Sequence, residues 1–410
     1  AMVFQQTPGQ SQRSQRVQAE AVVLATGARE TMAPFPGWTL PGIMTVGAAQ
    51  LLAKRHGVIP APASRPGAGS RPRVLLAGSG LLLLPAAAWL AELGAQVVGV
   101  LETARPGQAW LSRIGGPAAA GKLAPSLWER RDEAWHYLSA LRRHRIPYLF
   151  GRAVVRARTS TTGYLEAVDV ARLDARGAPV ASSTETWPVD LLCVGSGLVA
   201  NVELAHLAGA GLTCDAVLGG WVVAVDEASR VRTSLPGLFV AGESAGICGA
   251  AAALLSGRTA GMSAAAHLGR LPQATLQAEV TRTAAQRRRH LRFGAAANLL
   301  FGAADGLYRA IPDDTPVCRC EDVTAGQVRA AIATGCRSLD GLKPAMRVGQ
   351  GLCQGRTCGP ILSRMLAVEA GTGPEAGGQF RPRPPVKPVP LLAIAGLLVS
   401  DEANAHGGLS

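Results

Sequence analysis

The chain has 410 residues, 48% of them hydrophobic, with 49 glycines and 27 prolines that follow no period. That composition supplies buried cores and many tight turns, excludes a collagen-like or wholly disordered chain, and with this length fits two to three domains. Basic residues outnumber acidic ones, 41 to 28 for a net charge of +13, but aromatics are only 4%; with few stacking platforms, the surplus reads as a solvated surface that could meet an acidic partner, and nucleic acid is not an expected partner.

Taken in order, residues 1–16 are polar and open on no clear element. Ala19 to Leu24 is a short apolar strand that runs straight into Ala25-Thr26-Gly27, the pattern of a buried parallel strand ending at a glycine turn. A proline-punctuated loop, Pro34 to Gly42, follows, and Pro60 to Pro72 is a Pro/Ala/Gly/Ser-rich linker. Arg73 to Glu102 then reads as strand, glycine turn (Gly78-Ser79-Gly80), helix and strand. Glu102 falls 22 positions after Gly80, where an acid could hold a ribose hydroxyl, although the third fingerprint position is Leu83. A helix around Leu127 to His144 and strands near Arg152 to Val155 and Tyr164 to Leu173 complete this unit.

Val189 to Asn201 is a further strand and glycine turn, expected to return the chain to its first domain. Cys193 is read there as a core thiol, and neither His206 nor Cys214 is paired at ligand spacing. Thr233 to Glu243 is a strand ending in Ala241-Gly242-Glu243, followed by a small-residue helix from Gly249 to Leu268. Cys248 is read as an inert small residue. Leu271 to Arg309 is helical linker and includes the local basic run Arg287 to His290 with Arg292. No apolar run reaches the ~20 residues that a bilayer requires, Leu81 to Leu93 and Leu391 to Val399 included. Membrane contact is therefore expected only through a partner, and with no secretory signal evident the expected location is cytoplasmic.

Five of the eight cysteines fall near the C-terminus. Four follow the pattern C-x-C-x32-C-x4-C: Cys318, Cys320, Cys353 and Cys358. Alternate residues of an extended segment point to one side, so Cys318 and Cys320 can face a common centre. Cys353 and Cys358 bracket a loop in which a glycine permits tight turning. Pro360 suits the first turn of a helix running to Ala370 with Gly371 as its stop, which places Cys358 at a helix N-terminus that favours an anionic group. Thr324-x-x-Gln327 is a capping-box start for a helix to about Thr334. A [2Fe-2S] cluster suits four such thiols. Four-cysteine zinc is the alternative, though C-x-C departs from the usual zinc pairs, and disulfides require an oxidising compartment. Gly373 to Pro390 is a Pro/Gly/Arg-rich tail expected to lie extended on a surface.

The cysteine spacing and the Cys-Gln-Gly-Arg-Thr-Cys loop together resemble the bacterioferritin-associated ferredoxin-like (BFD-like) [2Fe-2S] module over about residues 316–371, with Pro344 interrupting a helix of that module. Ala25-Thr26-Gly27 and Ala241-Gly242-Glu243 resemble two fingerprints of the flavoprotein disulfide-reductase fold. In that fold the acid, usually Asp, holds the ribityl chain of FAD, and the helix N-terminus faces the pyrophosphate. The order of all these motifs resembles the FAD-dependent, [2Fe-2S]-bearing subunits of heteromeric amino-acid and opine dehydrogenases.

The resemblance implies an α/β, glutathione-reductase-like fold with two dinucleotide-binding domains and a small helical [2Fe-2S] module. The first FAD βαβ unit is not found in the sequence, so a start upstream of Ala1 is expected. The implied divisions are FAD-binding domain 1–60 and 189–270, linker 61–72, inserted NAD(P)-binding-like Rossmann domain 73–188, helical linker 271–315, cluster module 316–371 and tail 372–410. The implied cofactors are the cluster on the four cysteines, FAD at Ala25, Thr26, Gly27, Gly242 and Glu243, and NAD(P) or ATP at Gly78, Gly80 and Glu102. The implied role is electron transfer from a glycine-oxidase-like flavoprotein subunit, and a further implied partner is a small ferredoxin-like subunit. A self-sufficient NAD(P)H-dependent reductase and a non-catalytic nucleotide- and metal-binding scaffold are the rival readings.

Overall fold

In the computed structural model the described residues are 2–5, 13–60, 71–105, 131–302, 304–373, 375–392 and 394. The linker residues 61–70, residues 127–130 of the expected helix and residues 395–399 of the last apolar run lie outside them.

The largest sheet has five parallel strands in the order Ile43–Thr45, Leu191–Ser196, Arg73–Ser79, Gln96–Glu102, Tyr148–Phe150. Its central strand Arg73–Ser79 is buried from Val74 onward, as a strand covered on both faces must be. Helices Val46–His56, Leu83–Glu92 and Arg131–Arg143 pack on one face through Ala49, Ala87, Leu90 and Ala140. The other face meets Phe35, Trp38 and an antiparallel sheet of Arg152–Thr159, Leu165–Arg172 and Glu185–Pro188.

Two features differ from the sequence reading. Within Val189 to Asn201, the segment expected to return the chain to the first domain, Leu191–Ser196 first inserts between Ile43–Thr45 and Arg73–Ser79. The crossing back comes just after it, where Leu198–Ala200 pairs antiparallel with Ala28–Glu30. The run Leu-Leu-Cys-Val is as suited to one parallel sheet as to another, and only pairing decides between them. Secondly, Val22–Leu24 pairs parallel with Leu238–Val240 as a two-stranded sheet. Val23 is 40% exposed, because among the described residues the strand has a single neighbour and packs on one side.

Helix Ala250–His267 covers Leu238–Val240, with Ala260 against Phe239. Helices Gln273–Arg282, Ala284–Leu300 and Asp305–Arg309 form the expected helical linker. Its basic run lies on Ala284–Leu300, where the Arg287 guanidinium donates to the Val280 carbonyl.

The C-terminal module has its own core of Val317, Val328, Ile332, Leu339, Leu342, Ile361 and Met365. Its strand pair Pro316–Cys318 and Val323–Thr324 leads into Ala325–Ala333, capped by the reciprocal Thr324 and Gln327 bonds. Pro344 sits inside Leu339–Met346 without ending it. The Ser338 cap and the buried Leu339 and Leu342 anchor this short helix across the one lost backbone bond. Helix Cys358–Ala370 stops at Gly371 in the left-handed conformation, φ 66°. Among the described residues no helix is long and apolar enough to cross a membrane.

Candidate functional site

The four thiols come together from two directions. Cys318 ends a strand, Cys320 follows in the turn, Cys353 opens a loop and Cys358 begins a helix. Contacts run from Cys320 to Cys353, from Cys353 to Cys358 and from Cys358 to Cys318. Backbone N–H groups surround them: those of Cys320 and Glu321 face Cys318, that of Cys353 faces Cys320, and that of Thr357 faces Cys353. Sharing of the Cys358 thiol proton pulls the Cys353 pKa down to about 4 and that of Cys318 down to about 6. The same bonds raise that of Cys358, and burial raises that of Cys320.

The loop that permits this turns at Gln354 (φ 51°) and Gly355 (φ 78°). A β-carbon on Gly355 would stand 2.6 Å from the Phe380 ring, so this glycine is required both for the turn and for the approach of the tail. The tail does lie on a surface, and that surface is the thiol loop: the Arg356 guanidinium donates to the Val386 carbonyl at 2.8 Å. Among the described residues no three His, Cys, Asp or Glu side chains are gathered as ligands of one metal ion; the thiols form a connected series rather than a shell about one point. A donor set of four thiols in contact, two already low in pKa and ringed by N–H groups, fits a sulfur-bridged two-iron cluster.

The two glycine turns of the smaller parallel sheet lie side by side. The Thr26 hydroxyl donates to the Asn201 carbonyl at 2.6 Å and is 2.8 Å from the Ser244 hydroxyl, while the Ala241 N–H donates to the Leu24 carbonyl at 2.8 Å. Gly27 (φ 66°) and Gly249 (φ 86°) both face open space where a β-carbon would stand. Glu243 accepts from the Gly249 N–H ahead of helix Ala250–His267, and burial raises its pKa. Gly242, Glu243 and Gly249 line a cleft with Arg230, Cys248 and Arg287. An open backbone turn, a carboxylate at a helix start and two guanidiniums fit the polar part of a flavin dinucleotide. Burial raises Cys248 to about 11 and Cys193 to about 12, consistent with inert thiols.

The turn of the inserted domain is arranged differently. Glu102 has no exposed surface. Its carboxylate accepts from the Gly80 N–H at 3.0 Å and the Ala104 N–H at 2.9 Å, and also from the Tyr148 hydroxyl. Burial raises it to about 7. Gly78 is explained by a neighbouring strand, since a β-carbon there would stand 1.6 Å from the Gly195 carbonyl oxygen. The Ser79 hydroxyl donates to the Phe301 carbonyl at 2.8 Å, bringing the helical linker over the turn. Glu102 is thus already held by donors of the protein, while Gly80 still faces open space.

Arg29, Asn201 and Arg356 were not singled out from the sequence. Arg29 reaches from beside the Gly27 turn to the thiol loop, donating to the Arg356 carbonyl at 3.1 Å across 327 positions. No local spacing announces such a contact.

Comparison with known proteins agrees with this architecture. Residues 316–367 match the family described as the BFD-like [2Fe-2S] binding domain. The chain is 33% identical to an opine oxidase subunit of Agrobacterium tumefaciens (strain Ach5) over 93% of its own length and 70% of that protein. It is 32% identical to hydrogen cyanide synthase subunit HcnB of Pseudomonas aeruginosa over 95% of its length and 78% of that protein. Among solved structures it is similar in fold to L-proline dehydrogenase from P. horikoshii, with a TM-score of 0.60 at 19% identity. That match covers 92% of this chain but 58% of the other. The chain thus belongs to the family of oxidoreductase subunits that includes this opine oxidase subunit and hydrogen cyanide synthase subunit HcnB, and it carries a BFD-like [2Fe-2S] binding domain.

Proposed function

We propose that this chain is the flavin- and [2Fe-2S]-containing electron-transfer subunit of a heteromeric amino-acid or amine dehydrogenase of the opine, glycine or proline type. A glycine-oxidase-like flavoprotein partner oxidises the C–N bond, and this chain passes the electrons to an acceptor; a small ferredoxin-like subunit is a further member. The observation that carries the reading is the direct contact between the Gly27 turn and the Cys353–Cys358 loop through Arg29 and Arg356. Two redox sites in one chain are useful for transfer only when they adjoin.

When bound, FAD supplies two-electron chemistry and the cluster one-electron chemistry. The residues of the chain hold and orient. Gly27, Ala25 and Thr26 offer backbone to the flavin, with Gly242 and Glu243 beside them. Cys318, Cys320, Cys353 and Cys358 supply the thiolates, and the surrounding N–H groups stabilise negative charge on sulfur. The saturated Glu102 argues against the self-sufficient NAD(P)H-dependent reductase, which needs that carboxylate for its nucleotide.

Anaerobic purification followed by iron, sulfide, zinc and flavin analysis tests the reading. Two irons and two sulfides per chain with bound flavin are expected, and Cys353→Ser should lose the iron. Stoichiometric zinc without iron or sulfide would end the cluster assignment. Rapid reduction by NADH without any partner would favour the rival reductase. If Cys353→Ser unfolds the module but leaves the activity of the assembled complex intact, the chain is a scaffold.

A further inference from the structure

One side chain joins the flavin-side turn to the thiol loop. Asn201 Nδ2 donates to the Thr26 carbonyl at 2.8 Å, Arg29 Nη1 donates to Asn201 Oδ1 at 2.7 Å, and Arg29 Nε donates to the Arg356 carbonyl at 3.1 Å. Three hydrogen bonds therefore connect Ala25-Thr26-Gly27 to the middle of the loop bracketed by Cys353 and Cys358. Glu203 pairs with Arg29 at 2.8 Å, each side chain being about one-fifth exposed. Charged groups around Arg29 include Glu203 and Arg356, and the thiol of Cys353 lies in the loop whose backbone Arg29 holds.

Both Nε and Nη1 of the fork are engaged. A guanidinium is always charged and presents several donors in a fixed plane, whereas an ammonium on a flexible stem cannot span the same acceptors in the same geometry. Arg29 lies where solvent screening is reduced. It is thus suited both to fixing the loop and to acting on its charge.

We infer that Arg29 is a positioning residue for electron transfer: its fork fixes the thiol loop against the flavin-side turn, and its charge raises the reduction potential of the [2Fe-2S] site. The inference rests on the functional reading above. Uptake of one electron adds one negative charge at the four-thiolate site, with no bond made or broken. A fixed cation nearby favours that more negative state, and the Glu203 carboxylate opposes it.

The test uses the full chain, purified anaerobically and titrated with dithionite at controlled potential while visible absorption and the paramagnetic resonance of the reduced cluster are recorded. Arg29→Met should make reduction at least tenfold less favourable, a downward shift of about 59 mV for one electron. Arg29→Lys, which keeps the charge, should retain most of the wild-type potential. Glu203→Gln should shift it upward. If Arg29→Met fails to hold iron, Glu203→Gln decides alone: an upward shift supports the inference and an unchanged potential overturns it. Equal potentials in the wild type, Arg29→Met and Glu203→Gln overturn the role of Arg29 while leaving the functional reading in place. A wild-type chain without a cluster would overturn both, and the iron and sulfide analysis separates that case.

Discussion

The chain contains two turns of nearly the same description, a parallel strand ending in glycine with an acid in reach, and their acids end in different surroundings. At Gly27 the space beyond the turn is open and Glu243 lines a cleft. At Gly78 the strand Leu191–Ser196 abuts the backbone, Phe301 lies over Ser79, and Glu102 is drawn inward with no exposed surface, although Gly80 itself faces open space. A strand–glycine–acid signature describes how a backbone turns. Whether the turn is a binding site depends on what else packs there.

The largest effect that would break this comparison is at Gly78. Gly78→Ala puts a methyl group into the Gly195 carbonyl, at 1.6 Å, so urea denaturation should show a loss of more than about 4 kcal/mol or no folded protein. Near-normal stability would mean that the two strands are not in contact as described.

Glu102 sharpens the comparison through pH. Burial raises its pKa from the usual 4.5 to about 7, so the unfolded chain releases this proton first as pH rises. The folded state then binds more protons between pH 4.5 and about 7, and stability from this group falls across that window and is flat above it. The total is on the order of 3 kcal/mol. Glu102→Gln should remove that slope in chemical denaturation followed from pH 5 to 8. An unchanged slope would show that the carboxylate is not buried. The open turn should respond more weakly. Gly27→Ala forces a side chain into the left-handed region at a cost of about 1 kcal/mol, and flavin content per chain should fall because the new methyl enters the open space. Unchanged flavin content would separate this turn from the cofactor.

The smallest effect concerns how the thiol module is seated on the rest. The Trp38 indole N–H donates to the Pro316 carbonyl at 2.7 Å, and the Arg319 guanidinium lies 5.9 Å from the ring centroid. Trp38→Phe keeps most of the packing and removes the hydrogen bond, so a loss of about 1 kcal/mol is expected, with earlier protease cleavage near residue 316. Unaltered proteolysis would place the seating elsewhere.

Local rules made much of this molecule legible. The thiol pattern, the Thr324 capping box, the helix from Cys358 to Gly371, the inserted strand–helix–strand unit and the helical linker all follow from spacing, caps and periodicity within a few residues. The joint between the two proposed redox sites was not legible, because Arg29 and Arg356 meet across 327 positions and neither belongs to a pattern. The sheet membership of Leu191–Ser196 was not legible either, since an apolar strand carries no label for its partner.

By itself, the sequence determined which residues could bind: four thiols at cluster spacing and three glycine turns, each set by backbone geometry that a few neighbouring residues dictate. Only the tertiary structure decided what packs against each of those turns. That choice is made by the close approach of Gly195, the reach of the linker at Phe301 and the inward turn of Glu102. Such contacts depend on how distant elements pack, and packing is a property of the whole chain rather than of any stretch within it.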